Sequence, residues 1–581
     1  MDALAIFRDK IMAVLETLER RGIISSGLDT SSIAIETPKD DTFGDLSSNV
    51  AMVLSKQAKR NPRELAKYFV DQLAKDSSIE TVELAGPGFL NFKLKNDFWI
   101  KVVVSILEEG ISFGVKQVGN NKTVNVEFVS ANPTGPLHVG HTRGAVFGDV
   151  LANLLEVAGY NVTREYYVND AGSQIDSLAR SAFLRYQESL GVFTGDEQNE
   201  YPGDYLKKIG DSLKEEYGDL LISEDESSRL KKIKDFTVAK MLDSIKKDLS
   251  DLGIVMDSFV SESDLYAEGK VDESINHLRD LGLIYKGVLA KPKGGNNQDW
   301  LEREQELFKS TLFGDDTDRP IKKVDGSWTY FAPDIAYHYD KLCREYDEII
   351  DIFGADHSGY TSRMKAVVRA LSKGEKDLTV RLCQLVKLYK DGKPVKMSKR
   401  AGSYVTLRDL LDEVGKDAIR FLLLMRKNDA PLEFDFNKAI EQTRENPVFY
   451  VQYANARICS IIKRAKEENI DVSDSLLSKA DLSLLGNESE LQTIRKLAEW
   501  PNILTKATSR CEPHRIAFYL FETAQLFHSL QSLGKINHDL KFLRNDDLKL
   551  TRARLAMVRS IQLVIQSGLK IFGIKPMDEM L

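Results

Sequence analysis

Apolar side chains recur at three- and four-residue spacing from the start of the chain (Ala3, Ile6, Ile11, Val14, Leu15, Leu18), which predicts an amphipathic helix. They then alternate at Val82 and Leu84 and again through Phe89, Leu90, Phe92 and Leu94, which predicts strands. Residues 1–110 therefore read as a small α+β domain. The β-branched run 123–129 ends in the turn-rich Ser130-Ala-Asn-Pro-Thr-Gly-Pro136, after which Ala145, Val146, Val150, Leu151 and Leu154 restore helical spacing. Strand, loop and helix in that order open a nucleotide-binding α/β fold. A second strand is predicted over 159–168. Residues 171–320 are rich in charge and mostly helical in pattern, so they read as an insertion between two halves of one sheet. The sheet resumes at 348–354 and at 380–388. From Asp417 onward the spacing is helical almost throughout. The expected architecture is thus multidomain: a Rossmann-like, parallel-sheet α/β core over 111–440 with a helical insertion at about 171–320, a small α+β N-terminal domain over 1–110, and an all-α bundle over 441–581.

Composition narrows this picture only at a few points. With 581 residues, 42% hydrophobic and 29% charged, the chain has the length for several cores and the make-up of ordinary globular domains rather than of a disordered or disulfide-dense chain. A net charge of -8 argues against coating nucleic acid by bulk electrostatics, although residues 441–581 carry a slight basic excess. No apolar run approaches the ~20 residues that a membrane helix needs. The amino end mixes acids with bases, unlike a secretory or transit peptide, so the cytoplasm is the expected compartment. Cys343, Cys383, Cys459 and Cys511 are scattered without paired spacing, which suits reduced, buried thiols and neither a zinc site nor a disulfide framework.

Two stretches could carry chemistry. In Ala131-Asn-Pro-Thr-Gly-Pro-Leu-His-Val-Gly-His141, His138 and His141 are three apart, so both side chains fall on one face at the start of a helix, where terminal N–H groups and the dipole attract anions. Gly140 between them would let an adenine ring or ribose lie against the backbone. A purely structural alternative is that the two histidines cap the helix and pack. The second stretch, Lys393-Pro-Val-Lys-Met-Ser-Lys-Arg-Ala-Gly-Ser403, gathers Lys396, Lys399 and Arg400 between Gly392 and Gly402, as a loop that swings onto a triphosphate would; its bland alternative is a solvated basic turn. Neither a Gly-x-Gly-x-x-Gly nor a Gly-Lys-Ser/Thr loop is present, which excludes dinucleotide and P-loop enzymes.

Taken together, His-Val-Gly-His and Lys396-Met-Ser-Lys399 resemble the two signatures of class I aminoacyl-tRNA synthetases. The wording around them is similar to that of the bacterial-type arginyl-tRNA synthetase family: Glu127-Phe-Val-Ser-Ala-Asn, Thr329-Tyr-Phe-Ala-Pro-Asp-Ile-Ala-Tyr-His338, Asp417-Ala-Ile-Arg420, and Asn446-Pro-Val-Phe-Tyr-Val-Gln-Tyr-Ala-Asn-Ala-Arg457. Gly44-Asp-Leu-Ser-Ser-Asn49 and Ala85-Gly-Pro-Gly-Phe-Leu-Asn-Phe92 resemble the family's added N-terminal domain, which grips the outer corner of tRNA. The resemblance spans nearly the whole chain. Arg400 departs mildly from the family pattern, and Lys575-Pro-Met-Asp-Glu-Met-Leu581 departs from its usual ending, so no role is carried onto the tail.

The resemblance implies arginine activation by ATP to an arginyl-adenylate, followed by transfer to the terminal adenosine of tRNA(Arg). His138 and His141 would contact the ATP phosphates and the α-phosphate transition state. Lys396 and Lys399 would close over the β,γ-phosphates, with Mg2+ bound alongside ATP, and Gly135, Pro136, Gly140, Met397 and Ser398 complete the ATP set. Asp356 and His357, after the strand at 348–354, would hold ribose or base, with a polar surface turn as the competing reading. Arginine demands acceptors in matching directions because its guanidinium is always charged and rich in donors. Asp334 would supply charge and Tyr330 a wall, with Tyr337 as a neighbour; without the motif, Asp334 reads as a helix cap and Tyr330 as a core aromatic. Glu127, Ser130 and Asn132 would hold the amino and carboxylate ends, His141 sharing that duty. In the bundle, Tyr450, Tyr453, Asn455 and Arg457 would stack and hydrogen-bond splayed bases, although helical spacing places some of these aromatics in the core. No zinc, no membrane and a monomeric state are expected. The rival readings are another class I synthetase, a smaller nucleotidyltransferase with the histidine signature, and a catalytically idle RNA-binding relative.

Overall fold

The computed structural model describes residues 1–38, 40–192, 200–289, 303–395 and 405–580. The first helix, Ala3–Arg20, begins where the Asp2 carboxylate accepts from the Ala5 N–H at 3.1 Å. It lays Phe7, Ile11, Leu15 and Leu18 on the N-terminal sheet, whose hairpin pairs Ile79–Ala85 with Phe89–Leu94 antiparallel. The rings of Phe7 and Phe92 meet edge to face at 5.5 Å, so the alternation read at 89–94 is the buried face of this small α+β unit.

The central sheet comprises β1 (Thr123–Glu127), β2 (Asn161–Val168), β3 (Ser258–Ser261), β4 (Glu348–Gly354) and β5 (Leu378–Cys383) in the order β5-β4-β1-β2-β3. All four pairings are parallel. The strand order reverses between β1 and β4, and open sheets of this kind bind ligands in the crevice beyond the carboxyl ends at that point. The helix α1 (Val139–Val157) follows β1, and Gly148 allows it to press onto the β1 exit, since a Cβ there would overlap the Phe128 ring. The helix α2 (Phe331–Cys343) covers the sheet face that carries Glu127, Glu165 and Asp351.

Two sequence expectations need refinement. The insertion is helical mainly at Ser173–Ser189, Tyr205–Tyr217 and Glu226–Asp251. Its residues 258–261 form the sheet's edge strand β3, and Ile284–Gly287, Gln305–Phe308 and Arg319–Pro320 make a separate antiparallel sheet. The apolar run 380–388 is likewise two strands, because the chain leaves the central sheet after Cys383 and Val386–Lys390 pairs in parallel with Leu432–Asp435. Hydrophobic runs report burial but not which sheet provides it.

The carboxyl end is helical, with α3 (Pro447–Glu467), α4 (His514–Ile536) and α5 (Leu548–Ile571) as its longest members. Arg420, fully buried, ties this bundle to the core: its guanidinium pairs with Asp149 of α1 and donates to the carbonyls of Phe572 and Leu252. Of the cysteines, Cys383 and Cys511 are buried, but Cys343 is exposed and Cys459 half-buried, so the expectation of four buried thiols holds for two. Among the described residues no helix is long and apolar enough to cross a membrane.

Candidate active site

At the exit of β1 the chain turns through Val129 (φ 71°) and Ser130 (φ 39°). Two successive non-glycine residues in the left-handed region cost about 1–3 kcal/mol each, and such strain clusters at ligand sites. The turn is held from several sides. The Ser130 hydroxyl donates to Glu127 at 2.8 Å and accepts from the Tyr167 N–H at 3.1 Å, while the Tyr166 hydroxyl donates to the Ala131 carbonyl at 2.7 Å. Asn132 donates to Gln174 at 3.0 Å, and Tyr205 donates to the Thr134 carbonyl at 2.6 Å, so two insertion helices grasp the loop that carries Gly135 and Pro136.

His138 is the N-cap of α1, its Nδ1 accepting from the Gly140 N–H at 3.1 Å; His141 Nδ1 faces the His138 N–H at 3.4 Å. The two rings stack with centroids 3.8 Å apart. Capping and a shared face are therefore the same arrangement rather than alternatives. An Nδ1 that accepts fixes Nε2 as the protonated nitrogen of the neutral ring, the tautomer that donates to a phosphate oxygen. Across from this loop, residues 405–407 pair with 137–139: Leu407 N–H donates to the Leu137 carbonyl at 2.7 Å and Val139 N–H to the Val405 carbonyl at 3.3 Å. Arg143 of α1 reinforces the junction by donating to the carbonyls of Gln384, Lys427 and Ala430 at 2.8–2.9 Å. Lys396, Met397, Ser398, Lys399 and Arg400 lie outside the described residues, but the chain that follows them re-enters against His138.

A second group lies between α2 and the carboxyl ends of β2 and β3. Asp334, in the first turn of α2, accepts from the Tyr360 hydroxyl. Glu262, just past β3, accepts from the Tyr167 hydroxyl at 3.0 Å, and Asp170 pins the same turn through Ser261 and the Ser263 N–H. Burial pushes the Glu262 carboxyl up to about 7, with the charges of Asp334 and Asp170 adding to the rise. Burial also raises Asp334, against the opposing bond from Tyr360. Asp334 and Glu262 are thus two carboxylates that burial holds above their ordinary range, close enough for the charge of Asp334 to act on Glu262.

Below it runs a buried ionic row. Lys341 of α2 donates to Glu127 at 2.6 Å and to Asp351 at 2.9 Å, and His338 Nε2 lies 2.9 Å from Asp351. Arg344 and the Tyr337 hydroxyl hold Glu165, the tyrosine at 2.7 Å. Burial opposes the ionisation of Asp351, but Lys341 and His338 outweigh it and keep that carboxyl well below the usual range. Glu127, His338 and Asp351 bring three donor atoms within 4.8 Å of one another, and the cation that Glu127 and Asp351 share is the Lys341 ammonium.

Of the residues named from sequence, Glu127, Ser130 and Asp334 gather around Tyr167, while His138 and His141 stand at the start of the helix that follows the same turn. Tyr337 is in the group but buried, its hydroxyl committed to Glu165 and its ring 4.4 Å from that of Tyr167. Tyr330 is 71% exposed ahead of α2, its ring facing Lys323 rather than Asp334. Asp356 and His357 stand exposed on the turn after β4, His357 Nε2 3.5 Å from Asp356. In the bundle, Phe449, Tyr453 and His528 form a half-buried stack, Arg457 lies over Tyr453, and Tyr450 lies against His528. Asn455 is corrected to an internal role: it is fully buried, donating to the Met577 carbonyl at 2.8 Å and accepting from Gln566. The tail that carried no role in the sequence is thus strapped to α3, where Gln452 also bonds Lys575 and Met577. Sequence reasoning missed Glu262, Tyr167 and Tyr360, which belong to no motif. It also missed Lys341, whose spacing from Asp334 and His338 along α2 put all three on one helical face.

Residues 102–460 match the family model for the class I (R) tRNA synthetase catalytic domain, and residues 6–94 match the arginyl tRNA synthetase N terminal domain. The chain belongs to the arginyl-tRNA synthetase family. Residues 451–580 match the DALR anticodon binding domain. Curated family members include the Arginine--tRNA ligase of Ruegeria pomeroyi, 52% identical over the full length of both chains, and that of Parvibaculum lavamentivorans, 51% identical over the full length of both. Among solved structures, a putative arginyl tRNA synthetase from Campylobacter jejuni is 32% identical with a TM-score of 0.71, covering 84% of this chain and all of the other. The Thermus thermophilus arginyl-tRNA synthetase, at 19% identity, has the same fold with a TM-score of 0.71 over 99% of this chain and all of the other.

Proposed function

We propose that this protein is an arginine-tRNA ligase, and that its crevice works as follows. The arginine carboxylate attacks the α-phosphate of ATP, the bond to the β,γ-phosphates breaks, pyrophosphate leaves, and a terminal adenosine hydroxyl of tRNA(Arg) then displaces AMP from the arginyl-adenylate. The observation that carries this reading is that Asp334 and Glu262, carboxylates that burial holds above their ordinary range, lie close enough for the charge of Asp334 to act on Glu262, at the same carboxyl end of the sheet from which β1 leads into the helix start with its stacked histidines. A guanidinium offers the fixed charge and the several donors that such a pair accepts, and a shorter or neutral side chain leaves acceptors unpaired. Glu127 and Ser130 take the substrate's ammonium and Asn132 its carboxylate side. His138 and His141 donate to phosphate oxygens, Gly135, Pro136 and Gly140 give the nucleotide backbone access, and Asp356 and His357 border the adenosine. ATP enters as its magnesium complex. Phosphoryl transfer of this kind relies on positioning and charge neutralisation. Residues 1–110 grip the tRNA, 441–581 read its anticodon with Tyr450, Tyr453 and Arg457, and the protein acts as a monomer in the cytoplasm.

The deciding assay is ATP–pyrophosphate exchange with each amino acid, with and without tRNA. Arginine-dependent exchange is expected, and exchange driven by any other amino acid alone would refute the reading. Lys399→Ala should slow adenylation by about 100-fold, as loss of one transition-state donor does. Arginine affinity measured by calorimetry should hardly change; if affinity collapsed with the rate intact, the lysine would belong to the amino-acid pocket instead. Because Glu262 binds a proton below about 7 in the free protein and pairs as a carboxylate with the guanidinium, arginine binding releases that proton. KM for arginine should therefore rise as pH falls from 8 to 6, and Glu262→Gln should flatten the profile.

A further inference from the structure

Lys341 is 0% exposed and touches no solvent-facing part of the crevice, yet it is the nearest cation to Glu127. We infer that Lys341 is a positioning residue for arginine activation: its ammonium, clamped between Glu127 and Asp351, keeps the Glu127 carboxylate ionised and turned so that Oε1 serves the substrate's ammonium. This rests on the proposed function for the identity of that ammonium.

The geometry divides the two oxygens of Glu127. Oε2 accepts from Lys341 at 2.6 Å, and Oε1 faces the strained turn, accepting from Ser130 at 2.8 Å. The surroundings of Glu127 come from three elements. On α2 stand Lys341 and His338 with the Tyr337 ring; on β4 stands Asp351, opposite Glu127 in the ladder; on β2 stand Glu165, also opposite, and Tyr167. Arg344 is spent on Glu165, and His338 on Asp351. Two acids thus flank Glu127 on either side and one ammonium meets it. Burial is the largest influence raising its pKa, Lys341 the largest opposing it, and Asp351 adds to the rise. Removing the ammonium leaves every remaining strong influence except His338 acting toward protonation. A protonated Glu127 attracts an ammonium far less, since a charge-assisted hydrogen bond is about twice as strong as a neutral one.

The test uses the full-length protein with Lys341→Met, which keeps the apolar stem, and Lys341→Arg, which keeps the charge. For Lys341→Met at pH 7, KM for arginine in pyrophosphate exchange should rise about 10–100-fold with a smaller change in kcat, and should return toward the parent value at pH 9. Lys341→Arg should stay within about tenfold of the parent and show no such pH recovery. A readout independent of activity is the infrared absorption of protonated carboxyl at neutral pH, expected to increase in Lys341→Met beyond the parent's Glu262 contribution, with that increment lost in Lys341→Met/Glu127→Gln. If Lys341→Met folds poorly, Lys341→Met/Asp351→Asn relieves the excess buried charge and, with burial still favouring protonation of Glu127, should show a smaller pH dependence of KM and a smaller band in the same direction. A pH-independent KM, or no band assignable to Glu127, overturns the inference. A band that appears in a protein without arginine-dependent exchange upholds the role of Lys341 and sinks the functional reading alone.

Discussion

Asp334→Asn is expected to lower kcat/KM for arginine by a factor between about 30 and 4,000, corresponding to the ~2–5 kcal/mol lost when one partner of a buried charge pair is removed. Asparagine retains the volume and can still accept from Tyr360, so the change isolates charge. It leaves Glu262 as the remaining carboxylate, no longer raised by its neighbour's charge but still buried. The KM for ATP should be nearly unaffected, because the stacked histidines and the 137–139 pairing with 405–407 do not involve Asp334. Citrulline, which replaces the guanidinium by a neutral urea of similar shape, gives the second measure: the parent's preference for arginine over citrulline should shrink by a comparable factor in Asp334→Asn. A loss below tenfold, or one shared equally by ATP, would place the guanidinium elsewhere.

The second large effect concerns stability. Arg420→Met is expected to destabilise the core-and-bundle unit by about 3–5 kcal/mol, the usual result of stranding a buried partner charge. Arg420 meets Asp149 of the histidine-bearing helix, the Phe572 carbonyl at the end of α5 and the Leu252 carbonyl at the end of the insertion's long helix. Its loss leaves Asp149 with Arg164 at 3.4 Å and two buried carbonyls without their donor. Urea unfolding, followed by tryptophan fluorescence, measures the cost. Asp149→Asn in the same chain should recover part of it, since the stranded carboxylate is then removed. A single-variant loss under 1 kcal/mol, or no recovery in the double variant, would mean that the junction is held by the surrounding apolar packing instead.

How much of the site was legible in the sequence depended on whether its parts are neighbours along the chain. His138 and His141 were, because a three-residue offset at a helix start forces a shared face, and their stacking bears this out. Asp334 was named only through the family wording Thr329-Tyr-Phe-Ala-Pro-Asp334, since spacing alone reads it as a helix cap. Tyr330 shows the limit of that reasoning: the helix begins one residue after it, and its ring turns outward toward Lys323 instead of following Asp334 inward. Asn455 shows another, since helical spacing places a polar residue on a face without saying whether the face meets RNA or, as here, the protein's own tail.

The sequence by itself determined the order of elements, the small α+β start, the helical end and the two chemical signatures, because period, turn residues and local spacing are properties of short windows. Only the tertiary structure decided that residues 258–261 complete the sheet, that Glu262 meets the Tyr167 hydroxyl, that Lys341 sits between Glu127 and Asp351, and that Arg420 fastens three regions. Those are contacts between residues up to hundreds of positions apart. Their energy comes from desolvation, and a charge's cost or worth depends on which partner the fold brings within about 3 Å once water is gone.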